Sequence, residues 1–180
     1  MKLKLIIGFS ILSIIFGSTL SVSRAQGNDT CGTTESSPAL DDVVRNSDGS
    51  VLHMSWYEAL VYCSEHGTRL PTARELANYS HSLGAQGVCK IEKKGYYQIR
   101  GTDTKDKSDD FFFSPKGYRQ PDDELGSLFF WSSSSFLSGW AYGLVGKNGR
   151  LFNDLSTGKD SSGYSDITAV RCVSNLTWRK

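Results

Sequence analysis

Gln120-Pro121-Asp122 and, further along, Phe152-Asn153-Asp154 bring together carboxylate and amide oxygens, the hard donors that calcium takes as ligands. Asp122, Asn153 and Asp154 are therefore the candidate metal ligands of this chain. A second acidic set, Asp103, Asp106, Asp109 and Asp110, lacks EF-hand spacing and is interleaved with Lys105 and Lys107, which reads as a solvated loop. Cys31, Cys63, Cys89 and Cys172 contain no C-x-x-C pair, so a zinc site is disfavoured. Four cysteines in an exported chain favour two disulfides, for which three connectivities exist. Hydrolytic chemistry has little to work with. The run Ser132 to Ser135 lacks the Gly-x-Ser-x-Gly elbow, and His53, His66 and His81 have no nucleophile motif nearby.

The remaining candidates are aromatic. Tyr96, Tyr97, Phe111, Phe112, Phe113 and Tyr118 fall in one stretch rich in Lys, Asp, Gly and Ser, where they could offer flat faces to a sugar or contact area to a protein. The competing reading makes Phe111-Phe112-Phe113 a buried strand. Trp131, Trp140 and Tyr142 lie on predicted strands and read as core.

The elements that must position these residues divide the chain in two. Residues 1–25 have a basic start at Lys2 and Lys4, an apolar stretch from Leu5 to Leu20, and Ser23-Arg24-Ala25 as a small-residue cleavage site. That is the pattern of a secretory signal peptide. Without Lys2, Lys4 and Arg24, the 20 basic residues become 17 against 19 acidic ones, a net charge near −2. Such a surface has no electrostatic footprint for nucleic acid or an anionic membrane, and no second long apolar run predicts membrane insertion after cleavage. Residues 26–40 read as a flexible lead-in and 41–176 as one domain, with an insertion loop at about 91–125 that is functional or locally structured.

Within the domain, Asp42-Val43-Val44-Arg45 and Val51-Leu52-His53-Met54 read as paired edge strands about an Asn-Ser-Asp-Gly turn. Ser55 with Glu58, and Thr72 with Glu75, each form a capping-box pattern that starts a helix. Gly67 suits the left-handed stop of the first helix, and Pro71 cannot continue it. Phe129-Phe130-Trp131, the stretch from Trp140 to Val145, Arg150-Leu151-Phe152 about an Asn148-Gly149 hairpin, and a last strand from Thr168 to Val173 complete the chain. Helices first and strands later make an α+β layout.

Five of these segments, taken in order, resemble the bacterial Lcl C-terminal-domain family, close to the Fibrobacter major paralogous domain. They are Trp56-Tyr57-Glu58-Ala59 with Tyr62-Cys63, then Arg69-Leu70-Pro71-Thr72 with Glu75-Leu76, Phe130-Trp131-Ser132-Ser133, Trp140-Ala141-Tyr142, and Val170-Arg171-Cys172-Val173. They cover roughly Val43 to Ser174. The resemblance implies a C-type-lectin-like fold: two helices packed on a small twisted antiparallel sheet, with a long loop region on one side. It also implies a disulfide between Cys63 and Cys172, which leaves Cys31 for Cys89; closing so long a loop would stabilise the fold by about 4–5 kcal/mol. Sugar-binding C-type lectins hold calcium with a Gln-Pro-Asp triplet placed after the Trp-containing strand. Here Gln120-Pro121-Asp122 precedes Phe130-Trp131, so it reads as a turn, and no cofactor is expected.

The functional expectation is an exported, non-catalytic recognition or adhesion module, periplasmic or secreted, that binds a glycan or protein ligand through Tyr96, Tyr97, Phe111, Phe112 and Tyr118. The alternatives are an extracytoplasmic enzyme similar to formylglycine-generating sulfatase activators, which would need a reactive thiol, and a structural envelope protein.

Overall fold

The computed structural model describes residue 31 and residues 39–100, 110–121, 124–137, 139–156 and 168–174. The signal-peptide reading, most of the lead-in, Asp103, Asp106, Asp109, Asp122 and the end of the expected domain lie outside the described residues.

Both helices begin where the capping boxes stand. In α1 (Trp56–Glu65) the Glu58 carboxylate accepts from the Ser55 backbone N–H at 2.9 Å and from its hydroxyl at 2.7 Å. In α2 (Ala73–Ser82) the Thr72 hydroxyl oxygen accepts the Glu75 N–H at 3.1 Å while Glu75 accepts the Thr72 N–H at 2.8 Å. Each box satisfies backbone donors that a helix start leaves without partners. Gly67 adopts φ +71° just after α1, a conformation that favours glycine. Ala59 and Cys63 are buried on α1; Ala73, Leu76, Ala77, Asn78 and Ser80 are buried on α2.

Eleven strands among the described residues form three sheets. A five-stranded sheet runs β2 (His53–Met54), β10 (Thr168–Ala169), β7 (Phe129–Leu137), β8 (Trp140–Val145), β9 (Arg150–Ser156). β1 (Leu40–Val43) and β3 (Thr68–Arg69) flank β11 (Arg171–Ser174). The third sheet joins β4 (Gly87–Cys89), β6 (Phe111–Ser114) and β5 (Tyr97–Ile99). All pairings are antiparallel except β10 with β7, a parallel contact of Ala169 and Phe130. The architecture is α+β with two helices and several antiparallel sheets.

Two expectations need refinement. The early hairpin shrinks to a bridge between Arg45 and Val51, because β1 pairs instead with β11 and β2 with β10. The insertion at 91–125 takes the locally structured form at both ends, where β5 and β6 complete a sheet that β4 begins.

Successive residues of a strand point to opposite faces, and the central sheet uses both. Phe130, Leu144 and Leu151 join Leu76, Ala77, Val88, Ile99, Phe111 and Phe113 in one cluster toward α2 and the β4-β6-β5 sheet. Trp131, Ala141 and Val170 join Ala59, Cys63, Leu70 and Cys172 in a second cluster toward α1. Cys63 of α1 bonds Cys172 of β11, and Cys31 bonds Cys89 at the end of β4. Among the described residues no helix is long and apolar enough to cross a membrane.

Candidate functional site

β8 is the straight strand of the central sheet, and its neighbours bulge on either side. Register shifts fall between Trp131 and Leu137 on β7, and opposite Ala141 to Gly143 on β9. The β9 bulge adds a residue at Asn153-Asp154, and the Asn153 side chain hydrogen-bonds the Tyr142 hydroxyl. That hydroxyl also accepts the Arg100 backbone N–H at 2.9 Å, at the end of β5. Tyr142 is 2% exposed, and burial raises its phenol above the ordinary value, opposed by the Arg100 N–H and the nearby guanidinium. Asp110, at the start of β6, adds negative charge beside it and accepts from Gln98 Nε2 at 3.0 Å. Trp140, two residues before Tyr142 on β8, shares its face and is 42% exposed. A seam between the central sheet and the β4-β6-β5 sheet thus gathers Asn153, Arg100 and Asp110 about the Tyr142 hydroxyl, while the exposed Trp140 indole opens the same strand.

A second tyrosine closes the seam from the other side. Tyr97 of β5 accepts the outward Leu151 N–H of β9 at 2.7 Å, and its ring meets Phe113 edge-on at 5.6 Å. Burial drives the Tyr97 phenol far above the range in which it could ionise. β9 is the edge of its sheet, and this hydroxyl satisfies a donor that the ladder leaves over.

The sequence candidates distribute unevenly about this seam. Phe111 is 3% exposed and Phe113 fully buried, because they alternate inward from β6; the strand reading of that triplet is the observed one, and Phe111 leaves the ligand-contact set. Phe112, on the opposite face, and Tyr96 are half-buried. Tyr118 donates its hydroxyl to the Gly146 carbonyl at 2.6 Å and lays its ring against Gly149, so it braces the β8–β9 hairpin. Trp131 and Tyr142 are core residues as expected, whereas Trp140 is not. It sits at the first position of β8, next to the Gly139 turn, paired with Leu137 on one side and Ser156 on the other. An aromatic immediately after a glycine turn is the sequence signal that marks a strand end rather than a strand centre.

Of the calcium candidates, Asn153 is engaged with Tyr142, while Asp122 and the Asp154 side chain lie outside the described residues. Among the described residues no three of His, Cys, Asp and Glu gather where a metal could sit. The histidine rings meet backbone carbonyls: His53 at Val51 (3.2 Å), His66 at Tyr62 (2.7 Å) and His81 at Ala85 (2.7 Å). Ser132 donates to the Tyr142 carbonyl at 2.8 Å, and the Ser134 hydroxyl accepts the Ala73 N–H at 2.9 Å, supplementing the start of α2. The serine run is thus joinery between β7, β8 and α2.

Three further features went unread in the sequence. Tyr57 and Val61 make an exposed apolar pair one turn apart on α1, 61% and 55% exposed. Phe129, 45% exposed, meets Phe152 edge-on at 5.5 Å. Arg171, 7% exposed, lies over the Tyr79 and Phe130 rings and donates to the carbonyls of Asp41 (2.8 Å) and Leu40 (3.4 Å), clamping the irregular stretch of β1. Comparison with known proteins finds no matching family model, no matching curated protein and no matching solved structure.

Proposed function

We propose that this chain is an exported, non-catalytic recognition module that holds an external ligand against the seam of Trp140, Tyr142, Asn153, Asp110, Gln98 and Arg100. The observation that carries the reading is Trp140. A large indole, 42% exposed, opens the strand that carries the braced Tyr142, on a scaffold closed by two disulfides. A braced polar group loses little freedom when a ligand arrives.

The finer fold reading belongs to the same proposal: a C-type-lectin-like domain of the Lcl C-terminal-domain kind. Its support is the covalent link from the first helix to the last strand, with two helices ahead of a strand-rich half. Paired cysteines require an oxidising environment, which suits a periplasmic or secreted location. An activity like that of the formylglycine-generating enzymes would need a reactive thiol, and Cys31, Cys63, Cys89 and Cys172 are all bonded.

The test is saturable binding of the purified mature chain to immobilised panels of glycans and of purified envelope proteins, with Tyr57→Ala as the control variant. Binding weakened by Trp140→Ala and unchanged by Tyr57→Ala is the expected result. Absence of binding to both panels, or binding indifferent to Trp140→Ala, overturns the proposal.

A further inference from the structure

We infer that the Cys31–Cys89 disulfide is a redox-operated latch, opened by a protein dithiol through thiol–disulfide exchange. Opening it uncovers the outer face of the β4-β6-β5 sheet around Phe112, while Cys63–Cys172 stays closed and keeps the domain folded. The two bridges sit in different surroundings. Cys63 lies within α1 and Cys172 within β11, 0% and 4% exposed, in the cluster that holds Leu70 and Trp131. Cys31 is half-buried and itself outside any helix or strand, whereas Cys89 ends β4 and is 6% exposed. Exchange requires a thiolate to reach a sulfur, so access favours the bridge with a partly exposed half. Reclosure separates the two further. After reduction of Cys63–Cys172, helix and strand would keep the two thiols facing each other, ready to re-form the bond. A freed Cys31 has no element among the described residues to hold it beside Cys89, so its effective concentration falls once the bond is broken.

Sheet geometry says what the latch covers. Val88, Ile99, Phe111 and Phe113 face the core cluster shared with α2. Side chains alternate along each strand, so Cys89, Phe112 and Gln98 take the opposite face. Register sets those three in one row, with Phe112 between Cys89 on one side and Gln98 on the other. Directly opposed side chains on one face stand about 4.5–5.5 Å apart at Cβ, so a residue bonded to Cys89 lies beside the Phe112 side chain. A Cys89 that points outward yet is 6% exposed, and a half-buried Phe112, both reflect cover from that side. The step balances with a dithiol as the reductant. One of its thiolates attacks Cys31 Sγ, the Cys31–Cys89 bond breaks, and Cys89 leaves as a thiolate that takes up a proton. The second thiol then attacks the mixed disulfide, freeing Cys31 as a thiol and closing the reductant's own disulfide. Two electrons and two protons pass from the dithiol to the protein.

The test uses the full mature chain with both disulfides formed, and dithiothreitol as the dithiol. Samples along a dithiothreitol titration are quenched with N-ethylmaleimide and mapped by peptide mass spectrometry. Tryptophan fluorescence, which reports on the buried Trp131, is recorded in parallel. Cys31 and Cys89 should take up label at a dithiothreitol concentration at least about tenfold below that needed for Cys63 and Cys172, with the fluorescence unchanged. The consequence of opening is read in a Cys31→Ser/Cys89→Ser chain, in which the latch cannot close. That chain should bind an anilinonaphthalene dye, a probe of exposed apolar surface, more strongly than the parent does, and adding Phe112→Ser should remove the gain. Labelling of Cys63 and Cys172 first or together with the other pair overturns the inference. So does dye binding equal in the parent and open chains, or a gain indifferent to Phe112→Ser. An open chain that has lost the parent's tryptophan fluorescence overturns it as well, because opening must leave the fold standing.

Discussion

Replacing Cys63 and Cys172 together with alanine tests the strongest link between this sequence and its fold. The two residues are 109 positions apart. A crosslink closing a loop of that length removes unfolded-chain entropy equivalent to about 5 kcal/mol. The sulfurs add a packing contribution, since Cys63 is fully buried and Cys172 only 4% exposed, among Ala59, Leu70, Trp131, Ala141 and Val170. Trimming both to alanine opens a small cavity at about 1–2 kcal/mol. The total, about 6–7 kcal/mol, is of the order of an entire domain's stability. Cys31–Cys89 spans 58 positions, which gives about 4 kcal/mol by the same relation. The expectation is therefore ordered. Under non-reducing conditions, urea unfolding followed by tryptophan fluorescence should show the Cys31→Ala/Cys89→Ala chain folded but weakened. The Cys63→Ala/Cys172→Ala chain should be unfolded or barely folded. A Cys63→Ala/Cys172→Ala protein at least as stable as the other pair would refute the reasoning, because it would show the opening helix and closing strand held by something other than their covalent link.

Three further outcomes follow from single contacts. Glu75 meets Arg69 through two hydrogen bonds at 2.6 and 2.7 Å and also accepts the Thr72 N–H; burial pushes its carboxyl upward, but these partners prevail and hold it below its ordinary value of 4.5. A lowered folded-state value means stability present above the unfolded value and lost as pH falls through the folded one. Glu75→Gln should thus destabilise the protein at neutral pH by about 2 kcal/mol and flatten the loss below about pH 4.5, as seen in melting temperature against pH. Tyr97→Phe leaves the Leu151 N–H of β9 without its acceptor and should lower stability by about 1–2 kcal/mol in urea titrations; an unchanged midpoint would show that the two sheets are not joined there. Gly149→Ala should be the harsher change, at about 2 kcal/mol or more by thermal melt, because Gly149 has φ +67° and its new methyl group would collide with the Tyr118 ring and approach Ser80 Oγ at 2.6 Å.

Local rules made the helices legible. Ser55 with Glu58 and Thr72 with Glu75 are reciprocal bonds between residues three apart, so sequence spacing alone carries the information. The Asn148-Gly149 turn between β8 and β9 is legible for the same reason. The pairing of β1 with β11 is not local: Val43 meets Arg171 across most of the chain, and the nearby Val51 segment was an equally plausible strand partner from the sequence. The candidate site failed in a particular way. Period-two alternation on β6 buries Phe111 and Phe113 and turns Phe112 outward, but the triplet is apolar throughout and so conceals which register the strand adopts. Trp140 reads as core because its strand is core, yet a strand's first residue can lack the neighbours that cover its second.

The proposed recognition seam is held from both of its sheets. Tyr97 reaches from β5 to the edge of β9, while Tyr142 reaches from β8 back to the end of β5, so each sheet anchors the other through a buried phenol. Neither tyrosine can ionise at physiological pH with its phenol raised in this manner, and neither bond depends on salt or pH. Two bonds in opposite directions resist both sliding and splaying, where one would act as a hinge. Arg100 and Asp110 stand just beyond the ends of β5 and β6 and Trp140 opens β8, whereas Gln98 and Asn153 lie within β5 and β9. A surface carried on two mutually braced sheets is stiff without being buried, and stiffness combined with exposure is the condition under which a few modest contacts add up to selective binding.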